Sequence, residues 1–555
     1  MIPLPTAAEM RKLDEDTITQ LGIPGGVLME NAGRGVVAVL HELHRTRRID
    51  LFASQVVVVA GPGNNGSDGM VIARYLHQQG VTCELWIVAD PSRVRGDSLL
   101  HLAAAQAAFV QVTFCNGSTT TLCTRLASLR RDDLIVDALL GTGLQRSVQG
   151  HLASVIHSIN DSRARTISVD LPSGLDADRG LPEDAEEPAV IVRADYTVTL
   201  GFPKLGLASA PGFVFAGEVF VADIGIPASL CASSRVSAQL LDARVLERLT
   251  APRSPLGHKG RHGHLLLLAG SSGKLGAALL ATQAALAVGV GLCTLALPET
   301  ALDGSLGSRC PEAMTVTYPL SASSLADILE PSVVGKSALA IGPGLAPTES
   351  IRSLIVSLLL RCQQPLVLDA EALNLLIGCE ESLVERARAG HTTVLTPHPG
   401  EAGRLLGVSA AVIQADRVAA VRRLAERTCA VVLLKGARTL IVEPPTDVTL
   451  VKPPRLAVVP TGNVAMGSGG MGDVLTGMIG ALLTSGWPAF EAACAAAYWH
   501  GLAGDLAARR RAPGSIVLAT EVLEQLDEAR KRAGSHASEQ PPWPILPLAW
   551  TQVGS

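Results

Sequence analysis

Short apolar runs alternate with longer Ala- and Leu-rich stretches along most of the chain. The short runs have the length of buried strands, and the longer stretches have the length and composition of helices. Strands that alternate with helices predict βαβ units around parallel sheets, which is an α/β fold. The predicted strands are residues 55–60, 134–138, 166–171, 196–200, 265–269, 292–297, 338–341, 365–368, 393–395 and 431–434.

The alternation weakens between Ile226 and Gly263, where a helix-like segment is followed by a loop rich in Pro and Gly. We therefore expect a domain boundary near residues 228–240 and two doubly wound α/β domains. The C-terminal segment is rich in Pro and is expected to be loosely ordered. The predicted organisation is a first domain at residues 1–227, a linker at 228–252, a second domain at 253–533 and a Pro-rich tail at 534–555.

Composition narrows the class of protein. Of the 555 residues, 48% are hydrophobic and 17% are charged, which excludes a largely disordered chain. The formal charge of −5 argues against a nucleic-acid-binding protein, whose binding surface is basic. The ten cysteines form no C-x-x-C pair, so neither a zinc site nor a disulfide framework is expected. With no signal-peptide pattern and no apolar run long enough to span a membrane, we expect a soluble, cytoplasmic protein.

Gly-rich or polar clusters mostly come directly after the apolar runs in both halves of the chain. In an open α/β sheet, ligands bind in the crevice beyond the carboxyl ends of the strands. Simple connections between elements do not need this repeated chemistry, so we expect a small-molecule site in each domain. The clusters are residues 61–69, 141–143, 172–174, 269–273, 342–344, 369–374, 396–401 and 435–439.

The first of these clusters, GPGNNGSDG at residues 61–69, precedes a helix predicted from Met70. Glycines allow close backbone approach, and a helix N-terminus offers free N–H groups to a phosphate. The cluster matches neither a Walker A loop nor the G-x-G-x-x-G fingerprint. It predicts a phosphate-bearing ligand, and the alternative is an elaborate turn without one.

Two carboxylates end predicted strands in the same domain. Asp137 and Asp170 would face one crevice, with Asn65 and Ser173 nearby. A lone Asp at such a position serves equally well as a cap for the next turn. Together, these oxygen-bearing groups favour a site for a hard cation or for acid–base chemistry over a zinc site.

These motifs resemble the NAD(P)H-hydrate epimerase domain over residues 1–227. The residues that carry the resemblance are LMENAG at 28–33, GPGNNGSDG, VDALLGTGL, VDLPSGLDAD and Lys204 in TLGFPKLGL. The resemblance implies a Rossmann-like three-layer sandwich. It also implies interconversion of the R and S forms of hydrated NADH and NADPH, called NADHX and NADPHX, with a bound potassium ion.

By motif position, the resemblance implies that Asn65, Asp137 and Ser173 bind potassium. Asp137 also fits the family's acid–base residue, because loss and return of water at one ring carbon requires proton transfer. Ser67 stands where the family usually has Gly, which adds a side chain to a tight loop. The implied substrate contacts are Asn64, Asn65, Gly66, Ser67, Asp68, Gly141, Thr142, Gly143, Leu144, Gln145, Arg146, Ser147 and Asp170.

The second domain contains a longer Gly-rich loop, residues 462–472, which leads through Asp473 into a predicted helix. Backbone N–H groups at such a helix start stabilise a transferring phosphoryl group. One Asp alone would be read as a helix cap, but beside this loop we interpret Asp473 as the base of a phosphoryl-transfer site. A second anion-binding loop is predicted at residues 435–439. His398 ends a strand beside Pro and Glu, which favours a ligand contact over a core histidine.

These features resemble the ADP-dependent NAD(P)H-hydrate dehydratase branch of the ribokinase-like superfamily, over residues 253–526. The motifs are HKG at 258–260, AGSSGKLGAA, PE, GPGL, LDAEALN, TPHPGE and GNVAMGSGGMGD. The resemblance implies an α/β/α domain in which Asp473 deprotonates the ring hydroxyl for attack on ADP with Mg²⁺, giving AMP and a phosphate ester that eliminates. The implied nucleotide contacts are Lys435, Gly436, Ala437, Arg438, Thr439 and Gly472, and the implied substrate contacts are Ala277, Gly344, His398 and Asp473.

The two halves together predict a nicotinamide nucleotide repair enzyme, in which the epimerase supplies the S form that the dehydratase consumes. One alternative is a ribokinase-like kinase of a vitamin precursor or sugar, with a nucleotide-binding N-terminal domain. Another is a non-catalytic binding protein, against which the intact Asp137 and Asp473 argue. The expected partners are NADHX or NADPHX and ADP, with no nucleic acid and no membrane, and the chain is expected to form a homo-oligomer.

Overall fold

The computed structural model describes residues 1–115, 117–185, 188–233, 236–250, 258–302, 306–321, 324–445, 453–536 and 545–547. The chain divides into two compact units, an N-terminal unit formed mainly by Ile2–Ala238 and a C-terminal unit formed mainly by Gln239–Gln540. No helix in the described ranges is both long and apolar enough to cross a lipid bilayer.

The N-terminal unit is a parallel sheet between helices. Its helices are α1 (Ala7–Leu21), α2 (Gly25–Arg45), α3 (Asn64–Gln78), α4 (Asp97–Ala107), α5 (Thr120–Ala127), α6 (Gly150–Asp161), α7 (Leu205–Ala208) and α8 (Ala228–Ser233). Its strands are β1 (Ile2–Pro3), β2 (Val56–Ala60), β3 (Cys83–Ile87), β4 (Gln111–Phe114), β5 (Leu134–Ala138), β6 (Arg165–Val169), β7 (Tyr196–Leu200) and β8 (Glu218–Ala222).

Strand β2 shows why this sheet is covered on both faces. All five of its residues are buried. Successive side chains of a strand point to opposite faces, so Val56 and Val58 pack in one apolar cluster while Val57 and Val59 pack in another. Each cluster also contains side chains from helices. The unit is therefore a three-layer α/β/α arrangement, as a run of consecutive apolar residues predicts.

The strand order in this sheet is β8-β7-β6-β5-β2-β3-β4, and neighbouring strands are parallel. From β2 the chain first adds β3 and β4 on one side, and then returns to add β5 to β8 on the other. The direction of winding therefore reverses between β2 and β5. Such a reversal opens a crevice at the carboxyl ends of the two strands, where ligands of doubly wound sheets bind.

The C-terminal unit has a larger sheet. Its helices are α9 (Glu247–Thr250), α10 (Leu275–Val288), α11 (Leu306–Arg309), α12 (Leu325–Val333), α13 (Glu349–Arg361), α14 (Glu371–Leu375), α15 (Glu381–Arg388), α16 (Pro399–Leu406), α17 (Ala410–Ala415), α18 (Arg417–Thr428), α19 (Met471–Thr484), α20 (Ala489–Ala508) and α21 (Ala519–His536). Its strands are β9 (Ala238–Leu240), β10 (His264–Leu268), β11 (Leu292–Pro298), β12 (Met314–Tyr318), β13 (Ala338–Ile341), β14 (Leu366–Leu368), β15 (Thr393–Leu395), β16 (Val431–Leu434), β17 (Leu440–Val442) and β18 (Leu456–Val458).

Its strands follow the order β9-β18-β17-β16-β15-β14-β13-β10-β11-β12, in which β16, β17 and β18 are antiparallel neighbours and β10 to β16 are parallel. The winding reverses between β10 and β13. Helices α10 and α19 pack closely because both are rich in small residues. A Cβ at Gly477 would lie 2.0 Å from the carbonyl oxygen of Ala281, so only glycine permits this approach.

Every strand predicted from the apolar runs is present, with ends shifted by at most two residues. The sequence pattern missed strands at or near the sheet edges, such as β4, whose residues are exposed or half-buried and therefore form no apolar run. The predicted linker at 228–252 is not a plain connector, since it includes α8, β9 and α9.

The tail also departs from the expectation of loose order. Helix α21 continues to His536, and residues Ile545–Pro547 form a strand, β19, that pairs antiparallel with β8. The other residues of 534–555 lie outside the described ranges. Backbone pairing to an edge strand needs no hydrophobic pattern, which is why composition did not reveal it.

Candidate active sites

Helix α3 begins at Asn64, six residues before the predicted start. The Gly-rich cluster is therefore a short turn followed by a helix N-terminus, and its free N–H groups face the crevice side of β2. Close backbone packing requires glycine at two positions of this cluster. A Cβ at Gly61 would lie 2.1 Å from the carbonyl oxygen of Leu139, and one at Gly66 would lie 1.8 Å from that of Gly61.

The expectation that Ser67 adds a side chain to a tight loop is wrong. Ser67 lies in the first turns of α3, is fully buried, and its hydroxyl is 2.5 Å from that of Ser98 in α4. It also contacts the carbonyl oxygen of Gly63 at 3.3 Å. The hydroxyl is therefore satisfied by neighbouring elements, because the helix geometry that replaces the loop leaves room for it.

Asn65, Asp137 and Ser173 converge on the turn after β5. The Asn65 amide nitrogen donates to the carbonyl oxygen of Leu140 (2.9 Å), and the backbone nitrogen of Leu140 donates to the Ser173 hydroxyl (2.9 Å). The Ser173 hydroxyl and backbone nitrogen both donate to Asp137, at 2.6 and 2.9 Å. The Oδ1 atom of Asn65 is buried with no partner among the described residues.

Asp137 is fully buried at the carboxyl end of β5. Besides the two bonds from Ser173, its carboxylate accepts bonds from the Ser168 hydroxyl (2.8 Å) and the Leu139 backbone nitrogen (3.3 Å). Burial raises the pKa of this carboxyl, and the hydrogen bonds oppose that shift. The result is a fixed carboxylate with both oxygens engaged.

Asp170 follows β6 in the left-handed backbone conformation (φ +65°), which costs a non-glycine residue about 1–2 kcal/mol. Its carboxylate pairs with Lys204, which is only 1% exposed, and accepts a bond from the Leu200 backbone nitrogen (3.1 Å). The pair therefore holds the end of β6 against the turn after β7. Burial raises the pKa of nearby Asp68 well above its usual value, with the charge of Asp170 adding to the shift.

Only some of the residues predicted as contacts at 141–147 lie near this crevice. Gly141 packs against Asn65, since a Cβ there would lie 3.3 Å from the Asn65 Cβ. Ser147 instead binds Asp184 through its backbone nitrogen and hydroxyl, at 2.8 and 3.0 Å. Between them, Gly143, Gln145 and Arg146 are exposed, while Thr142 and Leu144 are half-buried.

In the C-terminal unit, Asp473 lies in the first turn of α19, beside Gly472 and the ion pair of Lys435 with Asp369. A Cβ at Gly472 would lie 3.1 Å from the Lys435 ammonium and 3.4 Å from Asp369 Oδ2. Burial raises the pKa of Asp473 to about 6; the charge of Asp369 adds to this shift and that of Lys435 opposes it. A carboxylate of this kind accepts a proton near neutral pH, as a general base must.

The residue that organises this group is Asp369, at the end of β14. It is 1% exposed, and its carboxylate accepts bonds from Lys435 (2.6 Å) and from the Thr476 hydroxyl of α19 (2.8 Å). Sequence reasoning did not select it, although it ends a strand just as Asp137 and Asp170 do. Applying the same rule to the motif LDAEALN would have found it.

Hydrogen bonds from arginine side chains hold the predicted anion-binding loop at 435–439 in place. Buried Arg417 donates to the carbonyl oxygens of Leu434 and Lys435, both at 3.3 Å. The Arg417 guanidinium also packs against Gly436 (φ +134°), where a Cβ would lie 3.0 Å from it. Arg438 donates to the Pro460 carbonyl oxygen (3.2 Å). Burial lowers the pKa of Arg438 to about 10, which leaves the guanidinium charged. The loop thus carries two cations, Lys435 and Arg438, while Ala437 is exposed and Thr439 bonds Gly436.

The Gly-rich loop before α19 is anchored at two points. Asp505 of α20 accepts bonds from the Gly462 backbone nitrogen (3.1 Å) and the Asn463 side chain (2.8 Å). Nearer α19, the Ser468 hydroxyl donates to the Val517 carbonyl oxygen (2.7 Å). These bonds hold both parts of the loop against α20 and the segment before α21.

Ala277 lies in the first turn of α10, His398 caps α16 and Gly344 lies in the loop after β13. The ring of His398 accepts a bond from the Gly400 backbone nitrogen (3.0 Å) and caps α16, and burial together with Lys435 lowers its pKa, which favours a neutral imidazole. Ala277 and Gly344 are neighbours, since a Cβ on Gly344 (φ +66°) would lie 3.1 Å from that of Ala277. This contact joins the start of α10 to the loop after β13, where the winding reverses.

Comparison with known proteins decides what the two units are. A family model described as YjeF-related protein N-terminus matches residues 25–206, and one described as NAD(P)H-hydrate dehydratase matches residues 265–528. The bifunctional NAD(P)H-hydrate repair enzyme Nnr of Moorella thermoacetica is 40% identical over 94% of this chain and 96% of its own length. The enzyme of the same name from Escherichia coli is 34% identical over 94% and 92%.

The chain belongs to the bifunctional NAD(P)H-hydrate repair enzymes. As a member of this family, it has an epimerase domain and a dehydratase domain, and the kinase and binding-protein alternatives are not favoured. Among solved structures, an ADP/ATP-dependent NAD(P)H-hydrate dehydratase from Bacillus subtilis, co-crystallised with ATP and Mg²⁺, is 30% identical over 52% of this repair enzyme and 97% of that chain, with a TM-score of 0.43.

Proposed function

We propose that the repair enzyme dehydrates S-NADHX and S-NADPHX at the expense of ADP, with Asp473 as the base. The observation that carries this proposal is a carboxylate with a raised pKa at the start of α19, beside the Lys435–Asp369 pair and the anchored Gly-rich loop. This combination places a proton acceptor and free backbone N–H groups in the first turn of α19, with a cation from the loop after β16 beside them.

In this reaction Asp473 takes the proton of the ring hydroxyl, whose oxygen attacks the terminal phosphorus of ADP. The bond from that phosphorus to the bridging oxygen breaks, and AMP leaves. Loss of phosphate from the ring carbon and of a proton from its neighbour then restores the dihydronicotinamide. The α19 N-terminus and Lys435 stabilise the charge on the transferred phosphoryl group.

The proposed nucleotide contacts are the loop 435–439 and Gly472, and the proposed substrate contacts are Ala277, Gly344, His398 and Asp473. Magnesium would arrive on the nucleotide's phosphates, which is how proteins usually hold this ion at phosphoryl-transfer sites. In keeping with that, the described residues contain no group of three or more His, Cys, Asp or Glu side chains that would bind a metal unaided.

For the epimerase domain we propose a potassium ion held by Asn65, Asp137 and Ser173. The fit rests on the buried, unpartnered Oδ1 of Asn65, beside the Ser173 hydroxyl and the Asp137 carboxylate. A hard cation takes oxygen ligands of these three kinds, and bound there it would supply positive charge next to the α3 N-terminus. Replacing potassium by tetramethylammonium salts is expected to slow R-epimer conversion and leave S-epimer dehydration unchanged.

Around that ion, the proposed substrate contacts are residues 64–68, 141–147 and Asp170. Ser67 would contribute its backbone only, because its hydroxyl is buried against that of Ser98. Asp137 keeps its predicted second role as an acid–base residue, but its four hydrogen bonds support the cation-binding role more strongly. A homo-oligomeric state and a cytoplasmic location also remain predictions from the sequence.

The deciding experiment follows absorbance at 340 nm with purified enzyme, mixed NADHX epimers, Mg²⁺ and either ADP or ATP. We expect complete recovery of NADH with ADP, because dehydration alone stops once the S form is consumed. Recovery that stalls partway would contradict the epimerase assignment. Recovery with ATP alone would contradict the choice of ADP, and no recovery with either nucleotide would contradict the dehydratase mechanism.

A further inference from the structure

A second group of charged side chains in the N-terminal unit stands apart from the three proposed potassium ligands. We call it the acid cluster, and it consists of Asp14 of α1, Asp68 of α3, Asp170 after β6, and Lys204 after β7. These groups lie close enough for the charges of Asp170 and Lys204 to act on both Asp14 and Asp68. Asp14 is not among the catalytic, substrate-binding or potassium-binding residues proposed above.

Lys204, the one cation of the acid cluster, already has hydrogen-bond partners of its own. The Lys204 ammonium pairs with Asp170 and also donates to the Leu200 carbonyl oxygen (2.9 Å) and the Thr199 hydroxyl (3.4 Å). These three contacts use its three N–H bonds. Lys204 therefore fixes Asp170 and has no donor left for the other two carboxyl groups.

Asp14 and Asp68 accept no hydrogen bond from the described residues. Asp68 is only 6% exposed, and a buried carboxylate without a donor is costly unless it holds a proton. Burial accordingly raises the pKa of Asp14 to about 6 and that of Asp68 well above its usual value. A carboxyl group that keeps its proton, Asp68, and one that titrates close to neutral pH, Asp14, thus lie beside the Asp170–Lys204 ion pair.

Helix α1 is held firmly at the carboxyl end of the sheet. A capping box of Thr6 and Glu9 starts it, and the Ala7 backbone nitrogen donates to Asp178 at 2.6 Å. One turn before Asp14, the methyl group of Met10 packs on Gly201, where a Cβ would lie 3.3 Å away. Gly201 directly follows β7, so α1 lies on the crevice side where the substrate is proposed to bind.

We infer that Asp14 is a second acid–base residue of the epimerase, acting with Asp68. This inference rests on the proposed epimerase function. The reaction must remove the ring hydroxyl from one face and return it to the other, so it needs a proton donor and a proton acceptor. Asp14 and Asp68 are carboxyl groups with free oxygens, whereas those of Asp137 are engaged.

Epimerisation in one direction begins with proton transfer to the ring hydroxyl. Protonated Asp68 gives its proton to the ring hydroxyl, the carbon–oxygen bond breaks with its electron pair on the departing water, and the ring-nitrogen lone pair forms a carbon–nitrogen double bond. Water then adds to the opposite face, the nitrogen regains its lone pair, and the surplus proton passes to ionised Asp14. The reverse direction exchanges the two roles, so no other reactant is consumed.

The test uses the full chain in limiting amount, with R-NADHX, ADP, Mg²⁺ and an excess of a separate dehydratase, so that epimerisation limits NADH formation. We expect Asp14→Asn to slow this rate at least tenfold, and Asp14→Glu to recover a substantial part of it. Dehydration of S-NADHX by the variant's own second domain should stay within twofold of wild type, which checks its concentration. Glu15→Gln, on the exposed side of the same helix, is the matched control and should behave as wild type.

A pH profile separates proton transfer from a merely structural role. The groups that face Asp14 are Asp68, Asp170 and Lys204. Wild-type R-to-S conversion should fall as pH drops through the pKa of Asp14, about 6, and Asp14→Asn should lose this dependence. An unchanged rate in Asp14→Asn, or a loss that Asp14→Glu does not recover, would overturn the inference. Absence of epimerisation in wild type would instead overturn the proposed function beneath it.

Discussion

At the scale of single residues, Asp369 shows how a group outside the reaction sets the properties of one inside it. Its charge helps to raise the pKa of Asp473 and holds Lys435 in place. The base must be ionised to act, so wild-type dehydration should fall as pH drops below about 6.

Asp369→Asn should therefore change both the rate and its pH dependence. In this variant the negative charge that raises the pKa of Asp473 is lost, while the charge of Lys435, which lowers it, remains. The pKa of Asp473 should therefore fall, and the pH below which the dehydration rate declines should move to a lower value. We also expect kcat/KM to drop by about tenfold to a hundredfold, because Lys435 loses its anchor. Steady-state dehydration of S-NADHX between pH 5 and 8 measures both effects. Asp327→Asn, at an exposed position, is the control. An unchanged pH dependence of dehydration in Asp369→Asn would contradict the role of Asp369 in setting the pKa of Asp473.

Ser67 allows a second prediction at this scale. Its hydroxyl is buried against that of Ser98, so Ser67→Ala leaves the Ser98 hydroxyl without this partner. We expect the free energy of unfolding to fall by about 1–2 kcal/mol, with epimerisation within twofold of wild type. Thermal or urea unfolding measures the first, and the R-NADHX assay the second. Ser92→Ala, at an exposed position, serves as control; a large loss of epimerisation would show that the Ser67 side chain, and not only its backbone, contacts the substrate.

At the scale of elements, the Gly-rich loop before α19 depends on α20. Asp505 binds the backbone of Gly462 and the side chain of Asn463, which fixes the loop before the nucleotide arrives. In Asp505→Ala the loop must be ordered on binding, so we expect KM for ADP to rise about tenfold with a smaller change in kcat. Dehydration rates over a range of ADP concentrations test this. Asp527→Ala, exposed on α21, should leave KM unchanged, and an unchanged KM in Asp505→Ala would contradict the anchoring role.

The elements also show what the sequence could predict. Strands such as β2 and β13 were found because burial on both faces makes them continuous apolar runs. Edge strand β4 carries no such run, and β19 is held by backbone bonding that composition does not reveal. The start of α3 was misplaced because Asn, Gly and Ser read as loop residues, although here they form a helix N-terminus.

The sites were predictable to the extent that polar residues end strands. Asp137, Asp170 and Asp473 stood in motifs that the sequence displays, and the structure places each in a polar group. Asp14 and Asp505 could not be found in this way, because each lies inside a helix and reaches its group only through tertiary packing. Their roles depend on partners distant in sequence.

At the scale of the whole molecule, the two units carry separate active sites, and the substrate of one is the product of the other. Nothing in the chemistry requires the hydrated nucleotide to stay bound between the two reactions, because neither proposed reaction attaches it covalently to the protein. Two chains, each disabled in a different site, should therefore complement one another in solution.

We expect an Asp137→Asn chain to recover NADH rapidly only from the S epimer, because its dehydratase site is intact, while the R epimer follows at the uncatalysed rate. An Asp473→Asn chain should recover none, because it lacks the base. Mixed in equal amounts with both epimers and ADP, the two variants should restore complete recovery, followed at 340 nm, at a rate that rises with the concentration of either chain. Recovery by wild type but not by the mixture would contradict free exchange, because it would mean that the epimerised nucleotide must pass between sites on one chain. The S-epimer phase of the Asp137→Asn chain and R-to-S conversion by the Asp473→Asn chain, coupled to a separate dehydratase, verify that each variant is folded in the domain that it contributes.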